Sequence, residues 1–464
     1  MCGVAGAIGI PNAAVSVRMM MHGQQNRGER ACGILSIDNT IKHHERFFGT
    51  VSDNFDDEVL TRLPGDLAIG HNRYPTAGDR TKKDLASIQP LAFRHHRQVL
   101  AIGHNGNFTN KEELEDSDLR EVAWKTELDT EAFLQLIIKE NANTDLIESV
   151  KTVMMKMRGS CSAVIARPRE LIAVCDPYAN RPLIWARKDR GFVVASESSA
   201  LGAIGVLHSE MCEVEPGEII SFSANGMRKE KVNFGNTHCQ HCIFEPIYFG
   251  NPHSRQRGLK IKDFRRALGA EIARQFPIEA DVIVGVPDSA LLHAQGYASV
   301  AKHIPLDNEI INRRHNTGRS FTQPGQAKRE KVAEEKSSYD SEEIDGKSIL
   351  LVDDSIVRGT TMRKIVAALR ARGAKAIHVV IMAPQIIKPC HTGIDTPTEE
   401  ELIASHKSVD EICLEIGADS LGFGSVEILR TVVESFDLDF ENFCKACFDG
   451  SYWHDLPPGI PTQE

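Results

Sequence analysis

The stretch from Ser348 to Thr361 constrains this chain more than any other. Ile349, Leu350, Leu351 and Val352 form an unbroken apolar run, the pattern of a strand buried on both faces, as in a parallel sheet covered by helices. Asp353 and Asp354 close the run, and Ser355 to Thr361 is a short polar loop. Beyond it Met362, Ile365, Val366 and Leu369 recur at helical spacing to about Arg372, where Gly373 stops the helix. A strand, a polar loop and a helix start bring unpaired backbone N–H groups and the positive end of the helix to one place, which suits a phosphate. Two carboxylates beside a phosphate need something positive or hydroxyl-rich between them, and a ribose with Mg2+ meets that need. A lone Asp-Asp pair is equally the acidic edge of an ordinary α/β strand. The Gly-x4-Gly-Lys spacing of a nucleoside triphosphatase is missing.

At 464 residues the chain has room for roughly two or three domains. A net charge of −10 argues against a nucleic-acid binder while leaving space for a local phosphate site. No apolar run approaches the ~18 residues of a membrane span, and no stretch at the start reads as a signal peptide. Eleven scattered cysteines then read as thiols, nucleophiles or metal ligands of a cytoplasmic protein rather than as disulfides.

The chain opens Met1-Cys2-Gly3-Val4-Ala5-Gly6, a strand of small residues. A small residue at position 2 favours loss of Met1, which leaves Cys2 with a free α-amine able to take its own thiol's proton. By position alone, Cys2 is as well read as a buried small hydrophobe. Arg27 lies in Gln25-Asn26-Arg27-Gly28. Arg73 follows the strand Leu67 to Ile69, and Asn105-Gly106 ends the strand Val99 to Ile102 as a turn. Asp129 opens a helix. These residue types suit an amino-acid ligand, because arginine pairs a carboxylate, aspartate pairs an ammonium, and asparagine and glycine donors hold an oxyanion. Singly, each is also a salt bridge, a turn or an N-cap.

Together, in this order after Cys2, these segments resemble the class II glutamine amidotransferase domain, an N-terminal-nucleophile (Ntn) hydrolase. The resemblance implies a four-layer αββα domain over residues 2–235. Cys2 would attack glutamine, Asn105 and the Gly106 N–H would hold the oxyanion, and Arg27, Arg73 and Asp129 would bind the substrate. Short alternating strands from Ser160 to Phe222 belong to it, and the polar run Asn225 to His238 reads as the linker.

A helix from Ile261 to Phe276, the strand Val282 to Val286 and the helix Leu291 to Lys302 then alternate as a parallel sheet requires. Asp353-Asp354-Ser355-Ile356-Val357-Arg358-Gly359-Thr360-Thr361 resembles the phosphoribosylpyrophosphate (PRPP) loop of type I phosphoribosyltransferases, in the version found in amidophosphoribosyltransferases. That implies a phosphoribosyltransferase domain over 255–432. Asp353, Asp354 and Ser289 would hold Mg2+ and the ribose. Ser355, Val357, Arg358, Gly359, Thr360 and Thr361 would bind the 5-phosphate. Arg319 would belong to a loop that folds over PRPP.

Cys444-Lys445-Ala446-Cys447 spaces two sulfurs for one metal or cluster, and Cys390 and Cys242 are further candidates. In the iron–sulfur branch of the same family, four cysteines at matching positions hold a [4Fe-4S] cluster. The resemblance therefore implies a cluster on Cys242, Cys390, Cys444 and Cys447, tying down a tail at 433–464. Zinc, with Cys239 or His241 as ligands, is the alternative. Over the whole chain the resemblance implies that ammonia from glutamine displaces pyrophosphate from PRPP to give 5-phosphoribosylamine, committing PRPP to purine synthesis. It also implies a homotetramer inhibited by purine nucleotides, with no nucleic-acid or membrane partner. A divergent paralogue that senses PRPP or delivers ammonia elsewhere is the rival reading.

Overall fold

A computed structural model describes residues 1–74, 84–95, 98–140, 145–232, 235, 238–313, 337–396 and 398–453. Its first half is built on the alternation of small and branched residues in the opening strand, Gly3–Ile8. Val4 and Ile8 face one core while Ala5 and Ala7 face another, as successive side chains of a strand must. This strand lies near the middle of a seven-stranded sheet. The spatial order is Met211–Glu213, Ile184–Lys188, Gly191–Ala195, Gly3–Ile8, Leu67–Arg73, Ala31–Asp38 and Ile41–Phe48. A six-stranded sheet packs against it, in the order Gly226–Lys231, Glu218–Ser223, Glu170–Cys175, Gly159–Arg167, Gln98–Phe108 and Leu91–His95.

Val4, Ile69, Val164 and Phe222 fill the space between the sheets. Val17 and Met21 of the helix Ala13–Gly23 cover the outer face of the first sheet. Phe133, Ile137, Val150 and Val153, from the helices Asp129–Glu140 and Leu146–Lys156, cover the second. The layers are therefore helix, sheet, sheet, helix. Two boundaries differ from the sequence reading. The strand Gln98–Phe108 runs straight through Asn105 and Gly106, paired to Ser162 and Cys161, so the Asn-Gly pair is no turn. The expected linker also holds the strand Gly226–Lys231, hydrogen-bonded to Glu218–Ser223, and its polar composition reflects an edge exposed to solvent.

The second half centres on a parallel sheet ordered Val282–Gly285, Ser348–Asp353, Ala376–Ile381 and Ser420–Phe423. Ile349 to Val352 are wholly buried at its middle, as an apolar run of that kind demands. The helices Ile261–Gln275, Leu291–Val300 and Thr360–Arg370 contribute Phe264, Leu268, Ala294, Tyr297, Val366 and Leu369 to its core. Ile311–Arg313 and Ser337–Tyr339 pair as a short antiparallel ribbon. Near the C-terminus, Phe443–Cys444 adds as a parallel strand to His241–Cys242, placing Cys444 opposite Cys242. Met1 is fully buried and packs in the core of this second half.

Candidate active sites

Cys2 immediately precedes the opening strand Gly3–Ile8 and is 6% exposed. Its backbone N–H donates to Asn105 Oδ1 at 3.0 Å, and its thiol lies 3.5 Å from the Tyr74 carbonyl oxygen. That bond orients the Asn105 amide so that Nδ2 is buried without a hydrogen-bond partner. A buried donor left open costs roughly 1–3 kcal/mol, so one beside a nucleophile suits an oxygen arriving with the substrate. Gly106 follows at φ +151°, where a Cβ would run into the Ser160 carbonyl, and only glycine keeps the strand continuous there. Asp129, at the start of its helix, accepts from the Phe108 N–H at 3.0 Å and the Thr130 N–H at 2.8 Å. Arg73 is half-buried, donates to the Ser87 carbonyl at 2.7 Å and lies close enough to Cys2 to feel its charge; burial sets its pKa below the ordinary value.

Arg27 occupies a different position from the one expected of a glutamine ligand. It is wholly buried, donating to Glu197 at 2.7 Å, to Glu245 at 2.6 and 3.0 Å, and through Nε to the Cys2 carbonyl at 2.9 Å. Burial would lower its pKa, but Glu245 and Glu197 raise it above the ordinary value. Its donors are directed to protein groups, so it braces the nucleophile from behind. The Met1 amine is pushed down to about 5, chiefly by burial.

The second constellation lies at the ends of the parallel strands. Asp353 and Asp354 are buried where their strand stops, and the N–H groups of Met382 and Ala383 bond to their carbonyls, both at 2.9 Å. The Ser289 hydroxyl donates to Asp354, as does Ser355 Oγ at 2.7 Å. Burial holds the Asp354 carboxyl above the usual carboxylate range. Gly359, at φ +71°, caps the helix Thr360–Arg370 with no side chain bonded to the free N–H groups. Thr360 and Thr361 are exposed and Val357 and Ser355 half-buried, so the loop presents backbone and hydroxyl donors outward. Arg358 pairs with Glu401 at 2.6 Å on the surface. Arg319 lies outside the described residues.

Three segments bring the expected cluster cysteines into electrostatic reach of one another. The Cys447 thiol is raised well above its ordinary value by burial and then by Cys444, Cys242 and Cys390; Cys444 is raised to about 12 by burial and Cys242. None of the four is in a disulfide. Arg181 stands beside them, Nη2 lying 3.9 Å from Cys390 Sγ while Nη1 is buried without a hydrogen-bond partner. Burial would raise the Cys390 thiol, yet Arg181 and Thr392 bring it below its ordinary value. His241 turns Nδ1 to the Ala179 carbonyl at 2.9 Å. Among the described residues, no group of three or more His, Cys, Asp or Glu side chains is arranged to hold a metal ion.

Sequence reading missed the groups that join the halves. The Thr392 carbonyl accepts from Ser160 Oγ at 2.6 Å and from Arg181 Nη2 at 2.6 Å; Asn107 Nδ2 donates to the His391 carbonyl at 2.8 Å. Glu197 and Glu245 share Arg27 across a similar distance in sequence. No local pattern marks such residues.

Comparison with known proteins matches the profile described as a phosphoribosyl transferase domain to residues 257–406, and that of a glutamine amidotransferase domain to residues 79–203. The amidophosphoribosyltransferase of Bacillus subtilis is 38% identical over 454 residues, spanning 97% of this chain and 94% of that protein. That of Methanocaldococcus jannaschii is 35% identical over 470 residues, covering 97% of each. A solved structure of the glutamine PRPP amidotransferase from B. subtilis, complexed with ADP and GMP, superposes with a TM-score of 0.88 at 36% identity, covering 99% of both chains. Another, described as the allosteric regulatory enzyme of purine biosynthesis, gives 0.89 at 37% identity, covering 99% of this chain and 97% of that one.

Proposed function

The chain belongs to the amidophosphoribosyltransferase family, and from that membership we propose how its residues divide the work. It is a glutamine-dependent pentosyltransferase that aminates PRPP in the first step of purine biosynthesis. In the proposed mechanism the Cys2 thiol attacks the glutamine side-chain amide, with its own α-amine, once Met1 is removed, taking the proton. The carbonyl oxygen, negative in the tetrahedral intermediate, turns toward Asn105 Nδ2 and the Gly106 N–H. The open donor on Asn105 is the observation that carries this assignment. Arg73 holds the glutamine carboxylate and Asp129 its ammonium. Arg27 positions Cys2 through the carbonyl bond and does not touch substrate. Collapse releases ammonia and leaves a glutamyl thioester, which water hydrolyses to glutamate.

The ammonia reaches the second constellation and attacks C1 of PRPP as pyrophosphate leaves. Thr360, Thr361 and the loop N–H groups from Ser355 to Gly359 hold the 5-phosphate at the open helix start, joined by Arg358 and by Arg319 of the covering loop. Asp353 and Asp354 hold the ribose hydroxyls, and with Ser289 they are the groups that would hold Mg2+. The donor set is hard oxygen and therefore fits that ion, which when bound neutralises charge on the pyrophosphate. Cys242, Cys390, Cys444 and Cys447 are the proposed ligands of a [4Fe-4S] cluster. Four mutually coupled thiols beside an arginine with an unused donor suit a sulfide-rich anion, which when bound cross-links three segments of the chain. Family resemblance also supports a homotetramer in the cytoplasm that responds to purine nucleotides. Among the described residues no helix is long and apolar enough to cross a membrane.

The decisive experiment separates the two sites. Cys2→Ala is expected to abolish PRPP-dependent pyrophosphate release with glutamine while leaving release with added ammonia largely intact. Equal loss of both activities, in a variant that keeps its circular dichroism spectrum, would refute the division.

A further inference from the structure

The two sheets of the first half leave one side of their sandwich open. Ile41–Phe48 is the last strand of the seven-stranded sheet and Leu91–His95 the last of the six-stranded sheet; among the described residues each pairs on one side only. An edge strand offers unpaired N–H and C=O groups along its length. The segment leading into the second edge packs beside the first. A Cβ on Gly33, in the neighbouring strand, would meet the Gln89 carbonyl, and Arg46 Nη1 reaches the Ala86 carbonyl at 3.4 Å.

Alternation sorts the side chains of Ile41–Phe48. One face is committed: Glu45 accepts from Arg62 Nε at 2.9 Å, and Phe47 meets Phe55 edge to face, with 5.2 Å between ring centres. The other face carries Lys42, His44 and Arg46. Lys42 and His44 stand opposite Ile37 and Leu35, which line the space between the sheets. Lys125, whose Nζ lies 4.4 Å from the centre of the Phe93 ring, and Arg94 approach from the facing edge. Burial first, then Arg46, Arg94 and Lys125, hold the Lys42 amine below its ordinary pKa; burial, Arg46 and Lys42 push the His44 ring down to about 3. Among the described residues no carboxylate forms an ion pair with Lys42, His44 or Arg46. Arg46 feels Asp84, but that carboxylate already accepts from the Ala86 N–H at 2.8 Å and the Ser87 hydroxyl at 2.9 Å. His44 Nε2 is buried without a hydrogen-bond partner.

A single charge on an edge strand is enough to keep other strands away. Five cationic or titratable groups from three segments exceed that need, in a chain whose net charge is −10. Cations gathered without counter-charge favour an anionic ligand. The row from Lys42 to Arg46 is about 14 Å long, more than one phosphate can cover, and its members are about 6.8 Å apart. An extended peptide repeats that spacing. Every second side chain of an added strand points into the gap, and side chains directly opposite across such a pair come within about 5 Å. Carboxylates there would pair with Lys42 and Arg46 and give the His44 Nε2 a partner, while the peptide backbone bonds to the free edge.

We propose that the open side of the sandwich docks an acidic, extended segment of a partner protein, added as a further strand beside Ile41–Phe48 with carboxylates at alternate positions facing Lys42, His44 and Arg46. None of these residues belongs to either reaction site, so the docking holds whatever reaction those sites perform.

The test uses the full chain and a fluorescein-labelled peptide of alternating threonine and glutamate. Fluorescence anisotropy is expected to show saturable binding. It should be at least tenfold tighter than for a peptide of the same composition with its glutamates contiguous, or for the alternating peptide N-methylated at alternate amides. Carbodiimide coupling followed by peptide mapping is expected to join the bound peptide to Lys42 or Lys125. Lys42→Glu with Arg46→Glu is expected to weaken binding at least tenfold, and ammonia-dependent pyrophosphate release, retained, shows the variant folded. Unlabelled peptide should compete at concentrations at least tenfold lower than tripolyphosphate does. No binding, binding indifferent to residue order or N-methylation, cross-links confined to other lysines, or affinity unchanged in the double variant would each overturn the proposal. Equal competition by tripolyphosphate would also overturn it, leaving a site for small anions only. Absence of pyrophosphate release in the unaltered protein would count against the assigned reaction alone, and circular dichroism then reports the variant's fold.

Discussion

Individual side chains at the first site are set by what each must do to charge. Asn105 Oδ1 accepts from the Cys2 N–H and Nδ2 stays open, so under the proposed mechanism its worth lies in the transition state. Asn105→Ala is expected to lower glutamine-dependent kcat by about a hundredfold to a thousandfold, with KM for glutamine much less affected and ammonia-dependent turnover intact. Steady-state kinetics with both nitrogen sources checks this. His71 contributes a pH dependence to stability. Burial pushes its ring down to about 3, from 6.5 for an exposed histidine. Because the folded value is the lower one, the unfolded chain takes the proton first as pH falls. Stability is therefore undiminished above 6.5 and declines through acid, by roughly 2 kcal/mol at pH 5 from this residue. Denaturant titrations from pH 7 to 5 should show that slope, and His71→Gln should flatten it by that amount. Cys2, Arg73, Asp129 and the aspartate pair could be put forward from the sequence because each role proposed for them needs one functional group at one place along the chain. The ion pairs of Arg27 could not, since nothing near it in sequence announces Glu197 or Glu245.

Elements were legible where their pattern is set by neighbours on the same segment. The central strand and its helix, read as Ile349 to Val352 and on to about Arg372, are found at Ser348–Asp353 and Thr360–Arg370. The Asn-Gly pair was misread because a local turn signal lost to long-range pairing: eight consecutive residues of Gln98–Phe108 pair with Gly159–Ala166. What no periodicity can show is the segment 390–394, a stretch of the second half that leans on that strand. A Cβ on Gly393, which is at φ +113°, would sit 3.1–3.3 Å from the backbone of Gly106. If the Gly106 N–H holds the oxyanion as proposed, Gly393→Ala is expected to shift it and lower glutamine-dependent kcat by about tenfold, on the order of 1.4 kcal/mol, with ammonia-dependent kcat unchanged. The comparison is informative because Gly393 belongs to the half whose own reaction should be spared.

At the scale of the whole molecule, two halves are fastened by a few buried bonds and by the pairing of Phe443–Cys444 with His241–Cys242. The parallel sheet of the second half was legible in its alternating strands and helices, and the four layers of the first half through the resemblance its motifs carry; the fastening was not, since its parts lie more than 150 residues apart. If Cys242, Cys390, Cys444 and Cys447 hold a cluster, protein purified without oxygen will absorb broadly near ~400 nm and contain iron with sulfide. Colourless protein carrying one zinc instead would refute the cluster, and four freely reactive thiols would refute both metals. One last consequence concerns Met1, whose side chain lies in the core of the second half while its carbonyl carbon is bonded to the nitrogen Cys2 needs as a base. With Met1 in place that nitrogen is an amide and cannot take the thiol's proton, so under the proposed mechanism loss of Met1 is what arms Cys2. Chain expressed while methionine aminopeptidase is inhibited, with Met1 verified by intact mass, should make phosphoribosylamine from ammonia and none from glutamine. Under that mechanism Met1 withholds one of the chain's two activities and spares the other.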